Sequence, residues 1–174
     1  MLRFLFRILL SYLAFPGVIV HEFGHQVFCH LTGTPVREVR YFRIGFPAGY
    51  VVHDLPTNPW KHLLIASGPF FVNTATGFLL GLAAVRADGL TAFAGTAKGV
   101  LLWLGVSVAL HAFPSLDDAT ALLEAVWTRP AGFFACLAIS ILGGLMVIVA
   151  FGAFFLVDLA YGIGIAWLLP RFLV

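Results

Sequence analysis

The 174-residue chain is 61% hydrophobic and only 10% charged, with a mean hydropathy of +1.01. A soluble domain carries about 25% charged residues, so the charges here are too few to cover an aqueous surface, and one integral membrane domain over 1–174 is expected, with the lipid bilayer as its solvent. A net charge of +2 gives no reason to expect a nucleic-acid partner, and Cys29 and Cys136, each in an apolar run, argue against a disulfide framework.

A membrane-spanning helix needs about 20 mostly apolar residues. Phe4 to Leu31 supplies the first, and Thr32-Gly33-Thr34-Pro35 stops it. The charged start "MLRFLFRILL" has no small-residue cleavage site after it, so it reads as a retained helix rather than a removed signal. Residues 36–62 are the largest polar section. "VREVRYFRI" and "AGYVVHDL", either side of Gly45-Phe46-Pro47, read as a short membrane-associated β-hairpin. Leu63 to Val85 is a second span, "RADG" a turn, and Gly99 to Phe113 a third span. "PSLDDATALLEAVWTRP" reads as a polar break with a short helix ending before Pro130. Residues 131–169 are apolar almost throughout and fit either two spans or one span and a membrane-lying tail. The expected fold is therefore an all-α polytopic membrane protein of 4–5 transmembrane helices with a hairpin after the first. Arg37, Arg40, Arg43, Lys61 and Arg129 lie on one side, against Arg3, Arg7, Arg86 and Lys98 on the other. By the positive-inside rule this small excess puts the 36–62 loop, and the chemistry near it, towards the cytoplasm.

Within the first span stands His21-Glu22-Phe23-Gly24-His25. Helical positions i and i+4 share a face, so both histidines can hold one metal ion. Glu22 lies about 100° round the helix, where it can reach a water at the metal without being a ligand. Zinc brings such a water's pKa to roughly 7, and a glutamate can take its proton. A histidine pair alone could be a hydrogen-bonding device between helices. That leaves Glu22 unexplained, because a charge at mid-bilayer costs at least ~2.5–3.5 kcal/mol.

A catalytic zinc site has three protein ligands and one open position. The supply besides His21 and His25 is His30, His53, His62, His111, Asp54, Asp88, Asp117, Asp118, Asp158, the glutamates and the two cysteines. "HAFPSLDDA", residues 111–119, stands out. With spans alternating in direction, the far ends of the first and third lie on the same side of the membrane, so this segment can meet His21 and His25. Pro114 removes an amide donor there, and irregular backbone at membrane depth is tolerated where it lines a polar cavity. Cys29, four residues after His25, reads as a small buried hydrophobe.

Here the chain resembles the site-2 protease family of intramembrane zinc metalloproteases, as a divergent small member. The family's HExxH is matched by His21, Glu22 and His25. Its later N-x-x-P-x-x-x-L-D-G motif is matched loosely by His111, Pro114, Leu116, Asp117 and Asp118. "SGPFFVN" resembles the family's G-P-x-x-N with one extra residue before Asn73. The resemblance covers about residues 10–125, leaving 131–174 as an extra C-terminal part. It implies one Zn2+ per chain, held by His21, His25 and an aspartate. The Leu-Asp alignment points to Asp117 and the spacing from Pro114 to Asp118. Asp118 is preferred, and either aspartate could instead cap the helix that begins there. His111 reads as a hydrogen-bond partner of a metal-bound carboxylate, an alternative ligand, or a packing residue. For Asn73 the resemblance implies a contact to substrate or to the developing oxyanion, with an interhelical hydrogen bond as the alternative.

The expected activity is cleavage of membrane-anchored protein substrates by a zinc metalloendopeptidase, with Glu22 as general base. The hairpin strands would offer an edge to an unwound substrate. The alternative is a non-catalytic metal-binding membrane protein or an inactive protease-like subunit of a membrane complex. A metal transporter is weaker, since no internal repeat is visible.

Overall fold

The computed structural model describes residues 9–10, 12–87, 94–128, 132–152 and 156–174. The expected start of the first span at Phe4, the Asp88-Gly89 part of the turn and Arg129-Pro130 lie outside them. The described chain is mostly helical. Its elements are α1 (Phe15–Leu31), β1 (Val36–Arg40), β2 (Tyr50–His53), α2 (Pro59–Arg86), α3 (Ala94–Leu110), α4 (Leu116–Thr128), α5 (Phe133–Gly152) and α6 (Val157–Ile163), which runs on through a π turn (Gly164–Leu168) into a 3-10 turn (Leu169–Phe172). Two helices, α2 with 28 residues and α5 with 20, are long and apolar enough to cross a membrane. At 17 residues each, α1 and α3 are shorter in the described chain.

Local sequence sets the ends of these helices. After α1 the chain turns through Gly33 at φ +67°. The Gly33 amide donates to His30 O at 3.1 Å and the Thr34 amide to Cys29 O at 2.8 Å. That paired closure needs a left-handed residue, which glycine supplies without strain, and Pro35 then prevents the helix from resuming. At the start of α2 the Asn58 side chain accepts from the Trp60 amide at 2.9 Å, a cap worth about 1 kcal/mol, with Pro59 in the first helical position where no amide is needed.

The helix α2 is the centre of the molecule. It packs against α1 on one side, α3 on another, and the π turn near the C-terminus. The C-terminal segment lies along α2 and α3, tied by Thr74 to the Tyr161 hydroxyl at 2.8 Å and by the Phe113–Tyr161 ring pair at 4.7 Å. Residues 133–152 thus form one long apolar helix, and residues 156–172 a shorter second segment packed on the bundle. A separate apolar cluster of Ala66, Leu122, Val126 and Ile139 joins α2, α4 and α5. In α4 the buried residues Ala119, Leu122, Ala125 and Val126 share one face, so burying them fixes the roll of the helix that carries Asp118.

The strands β1 and β2 form a two-stranded antiparallel sheet, pairing Val39 with Val51 and Arg40 with Tyr50, with an irregularity between Val36 and Glu38. Arg37 grips Asp54 through two hydrogen bonds, Nε to Oδ1 at 2.7 Å and Nη2 to Oδ2 at 2.6 Å. Those bonds and the attached charge hold the Asp54 carboxyl below the usual carboxylate range.

Candidate metal centre

His21 and His25 project from the same face of α1, together with the buried Gly17, Val18 and Gly24. That face is inward because α1 approaches α2 very closely. A Cβ on Gly24 would lie 2.8 Å from Pro69 Cα, so only glycine permits this crossing. The neighbouring turn of α1 then brings the His25 ring beside Ile65, and its Nδ1 donates to Ile65 O at 2.9 Å. His21 Nδ1 donates to His111 O at 2.7 Å, which fastens α1 to the end of α3.

These two bonds decide the chemistry of the rings. A carbonyl oxygen only accepts, so each Nδ1 must carry the hydrogen, and each neutral ring then presents a bare lone pair at Nε2. The two Nε2 atoms are 3.3 Å apart. Asp118 closes the triangle, with Oδ1 3.3 Å from His25 Nε2 and Oδ2 3.7 Å from His21 Nε2. With both rings neutral, three acceptors converge with no hydrogen among them, and a cation satisfies all three. Tetrahedral zinc with ligands at 2.0–2.1 Å sets ligand atoms about 3.4 Å apart, close to the separations here. Among the described residues, His21, His25 and Asp118 form the group that could hold a metal ion.

Asp118 is held by the start of its own helix. The Ser115 amide and hydroxyl donate to Asp118 Oδ2 at 2.8 and 2.6 Å, and the Asp118 amide donates back to Ser115 Oγ at 3.1 Å. This is a reciprocal cap. Capping and facing the histidines are not alternatives here, because the carboxylate has an oxygen to spare. Asp117, the other aspartate considered, is exposed and lies outside the group. The remaining described candidates, His30, His53, His62, Asp54, Asp158, Cys29 and Cys136, also fall outside it. Asp88 lies outside the described residues.

His111 enters through its main chain. Its carbonyl receives His21, while its ring Nδ1 bonds Ser107 O at 3.0 Å. Asn73 is fully buried, and its amide nitrogen faces Gly17 O at 3.2 Å, Val108 O at 3.0 Å and His111 O at 3.2 Å. It ties α1, α2 and the end of α3 together, and both its hydrogens are engaged in doing so. Glu22 is buried next to the histidines, with the loop before β2 drawn over it. A Cβ on Gly49 would come within 2.7 Å of Glu22 Cγ and 3.0 Å of Oε1. Two supporting residues were not foreseen from the sequence. Ser115 was signalled by its position three before Asp118, whereas Gly49 carried no signal.

No protein-family model, curated protein or solved structure matches this chain.

Proposed function

We propose that the protein is a polytopic intramembrane zinc metallopeptidase acting on membrane-anchored protein substrates. The observation that carries the proposal is the triangle of bare acceptors. His21 and His25 are each locked in the Nδ1–H form by a backbone carbonyl, and their Nε2 atoms face one Asp118 carboxylate at spacings that suit zinc. A buried carboxylate that takes no part in that triangle, Glu22, stands beside it.

His21, His25 and Asp118 would hold the ion and leave one position open. Bound there, zinc would supply Lewis acidity for a peptide carbonyl and make water easier to deprotonate. Glu22 accepts the proton from the attacking water and delivers it to the leaving amine. Burial of its carboxylate keeps bulk water from competing for that proton. The β1–β2 sheet follows α1 directly and provides a backbone edge for an unwound substrate segment, whose own amides need partners once its helix is opened. The low charge content, with α2 and α5 of spanning length, supports a multi-pass membrane location. The arginine-rich hairpin is placed on the cytoplasmic side.

The test is metal content of the purified chain beside single variants. Wild type and Glu22→Gln should each hold about one zinc, His25→Ala and Asp118→Ala should lose it, and Asp117→Ala should keep it. Glu22→Gln should then bind but not cut a membrane-anchored substrate that wild type cleaves. A Glu22→Gln protein as active as wild type overturns the catalytic assignment and leaves a metal-binding membrane protein.

A further inference from the structure

We propose that Pro69, inside α2, sets the metal-binding His25 by vacating the backbone carbonyl that holds it, an assignment that rests on the metal reading above. In an α-helix the carbonyl of residue i accepts from the amide of residue i+4. Pro69 lies inside α2 and has no amide hydrogen. The carbonyl it leaves without a helical donor is that of Ile65, four residues earlier. That oxygen is the one His25 Nδ1 donates to, at 2.9 Å and buried. The same close crossing that demands glycine at position 24 sets Pro69 against α1, so the vacancy and the imidazole meet where the helices touch.

His21 is held by a carbonyl just past a helix end, open because its neighbours downstream are proline or already engaged. Beyond α3 the His111 carbonyl could look to residue 114 or 115 for a donor. Pro114 has none, and the Ser115 amide is spent on Asp118 Oδ2 at 2.8 Å. The carbonyl instead takes His21 Nδ1 at 2.7 Å, with Asn73 Nδ2 alongside at 3.2 Å. Each imidazole thus occupies an open carbonyl, the one at Ile65 vacated by Pro69, and each neutral ring is held in the Nδ1–H tautomer with Nε2 bare. An internal proline ordinarily destabilises a helix. Here that loss of helix stability goes into orienting a ligand, which gives Pro69 a positioning role rather than a merely tolerated one.

The experiment reads tautomers and metal affinity on the full chain in detergent. Long-range 1H–15N spectra of histidine-labelled, zinc-free wild type at a pH where the rings are neutral should show His21 and His25 with the hydrogen on Nδ1. Pro69→Ala restores an amide at position 69 that can recapture Ile65 O. It should leave thermal stability equal or raised, mix the His25 tautomers, and weaken Zn2+ binding by about 10–100-fold in a chelator competition. Pro59→Ala, in the first position of α2 where no carbonyl is vacated, should leave both readouts at wild type. Zn2+ affinity and a His25 tautomer both unchanged in Pro69→Ala overturn the assignment. So does an Nε2–H ring at His21 or His25 in wild type, a result that decides the matter even if Pro69→Ala fails to fold. Wild type that binds no Zn2+ overturns the metal reading instead, and the tautomers in wild type and Pro69→Ala still decide the role of Pro69.

Discussion

Gly24→Ala adds one methyl group at the close crossing of α1 and α2 beside the site. The new Cβ would sit 2.8 Å from Pro69 Cα and 3.0 Å from Pro69 N. Carbon atoms in ordinary contact are about 3.5–4.0 Å apart, and the obstruction is backbone on both sides, so no side chain can swing away. The helices α1 and α2 must therefore part by roughly 0.7–1 Å, and overpacking of this kind costs about 1–3 kcal/mol. The next residue is His25, whose bond to Ile65 O is 2.9 Å long. The same displacement takes that bond beyond about 3.5 Å, where a hydrogen bond no longer counts, for about another 1 kcal/mol. The expected total is about 2–4 kcal/mol in an unfolding titration in detergent, together with weakened Zn2+ binding even though no ligand has been touched. A Gly24→Ala protein within about 0.5 kcal/mol of wild type, an ordinary surface-substitution effect, and with unchanged zinc affinity would refute the close-crossing account.

Other residues around the site make separate predictions. Asn73→Asp should be more damaging than Asn73→Ala, because it turns an acceptor towards the three carbonyls that the amide nitrogen now faces; unfolding midpoints of the two variants give the order, and the reverse order would contradict the strut. Ser115→Ala should cost about 1 kcal/mol as a lost cap and also loosen zinc, whereas Ser115→Thr should keep both, as chelator competition and thermal unfolding together can show. On the hairpin, the Asp54 carboxyl is depressed by its bonds to Arg37. The stabilisation from this pair is present above the unfolded carboxylate pKa near ~3.9 and is lost as pH falls through the lower native value. The Asp54 carboxyl 13C shift should accordingly titrate with a midpoint below ~3.9, and Arg37→Gln should return it to that value.

The parts of the site that could be read ahead are those fixed by spacing along one helix. His21 and His25 share a face because any α-helix puts i and i+4 together, and the segment 111–119 was reachable from the alternation of apolar runs. The choice between Asp117 and Asp118 was not, because it depends on the roll of α4, which the burial of Ala119, Leu122, Ala125 and Val126 decides. Asn73 could be read either as an oxyanion contact or as a strut. Which carbonyls surround a buried amide is a property of three helices at once, and here all three face its nitrogen. The hairpin was visible because its polar strands interrupt an apolar chain. The C-terminal stretch was ambiguous because it is apolar on every side, so hydropathy could not separate the long α5 from the shorter segment that packs along α2 and α3.

Both imidazoles are aimed by main-chain oxygens, those of Ile65 and His111. A main-chain oxygen cannot be removed by exchanging one side chain for another. The identities of residues 65 and 111 are therefore weak targets for mutation, and apolar replacements that keep the helix path should spare the orientation of the histidines. Vulnerability moves to residues with no chemistry of their own, Gly24 and Pro69, which control where the backbone runs and which of its oxygens are left open. A search for disruptive changes confined to ionisable residues would find His21, His25 and Asp118 and miss the backbone features that hold them.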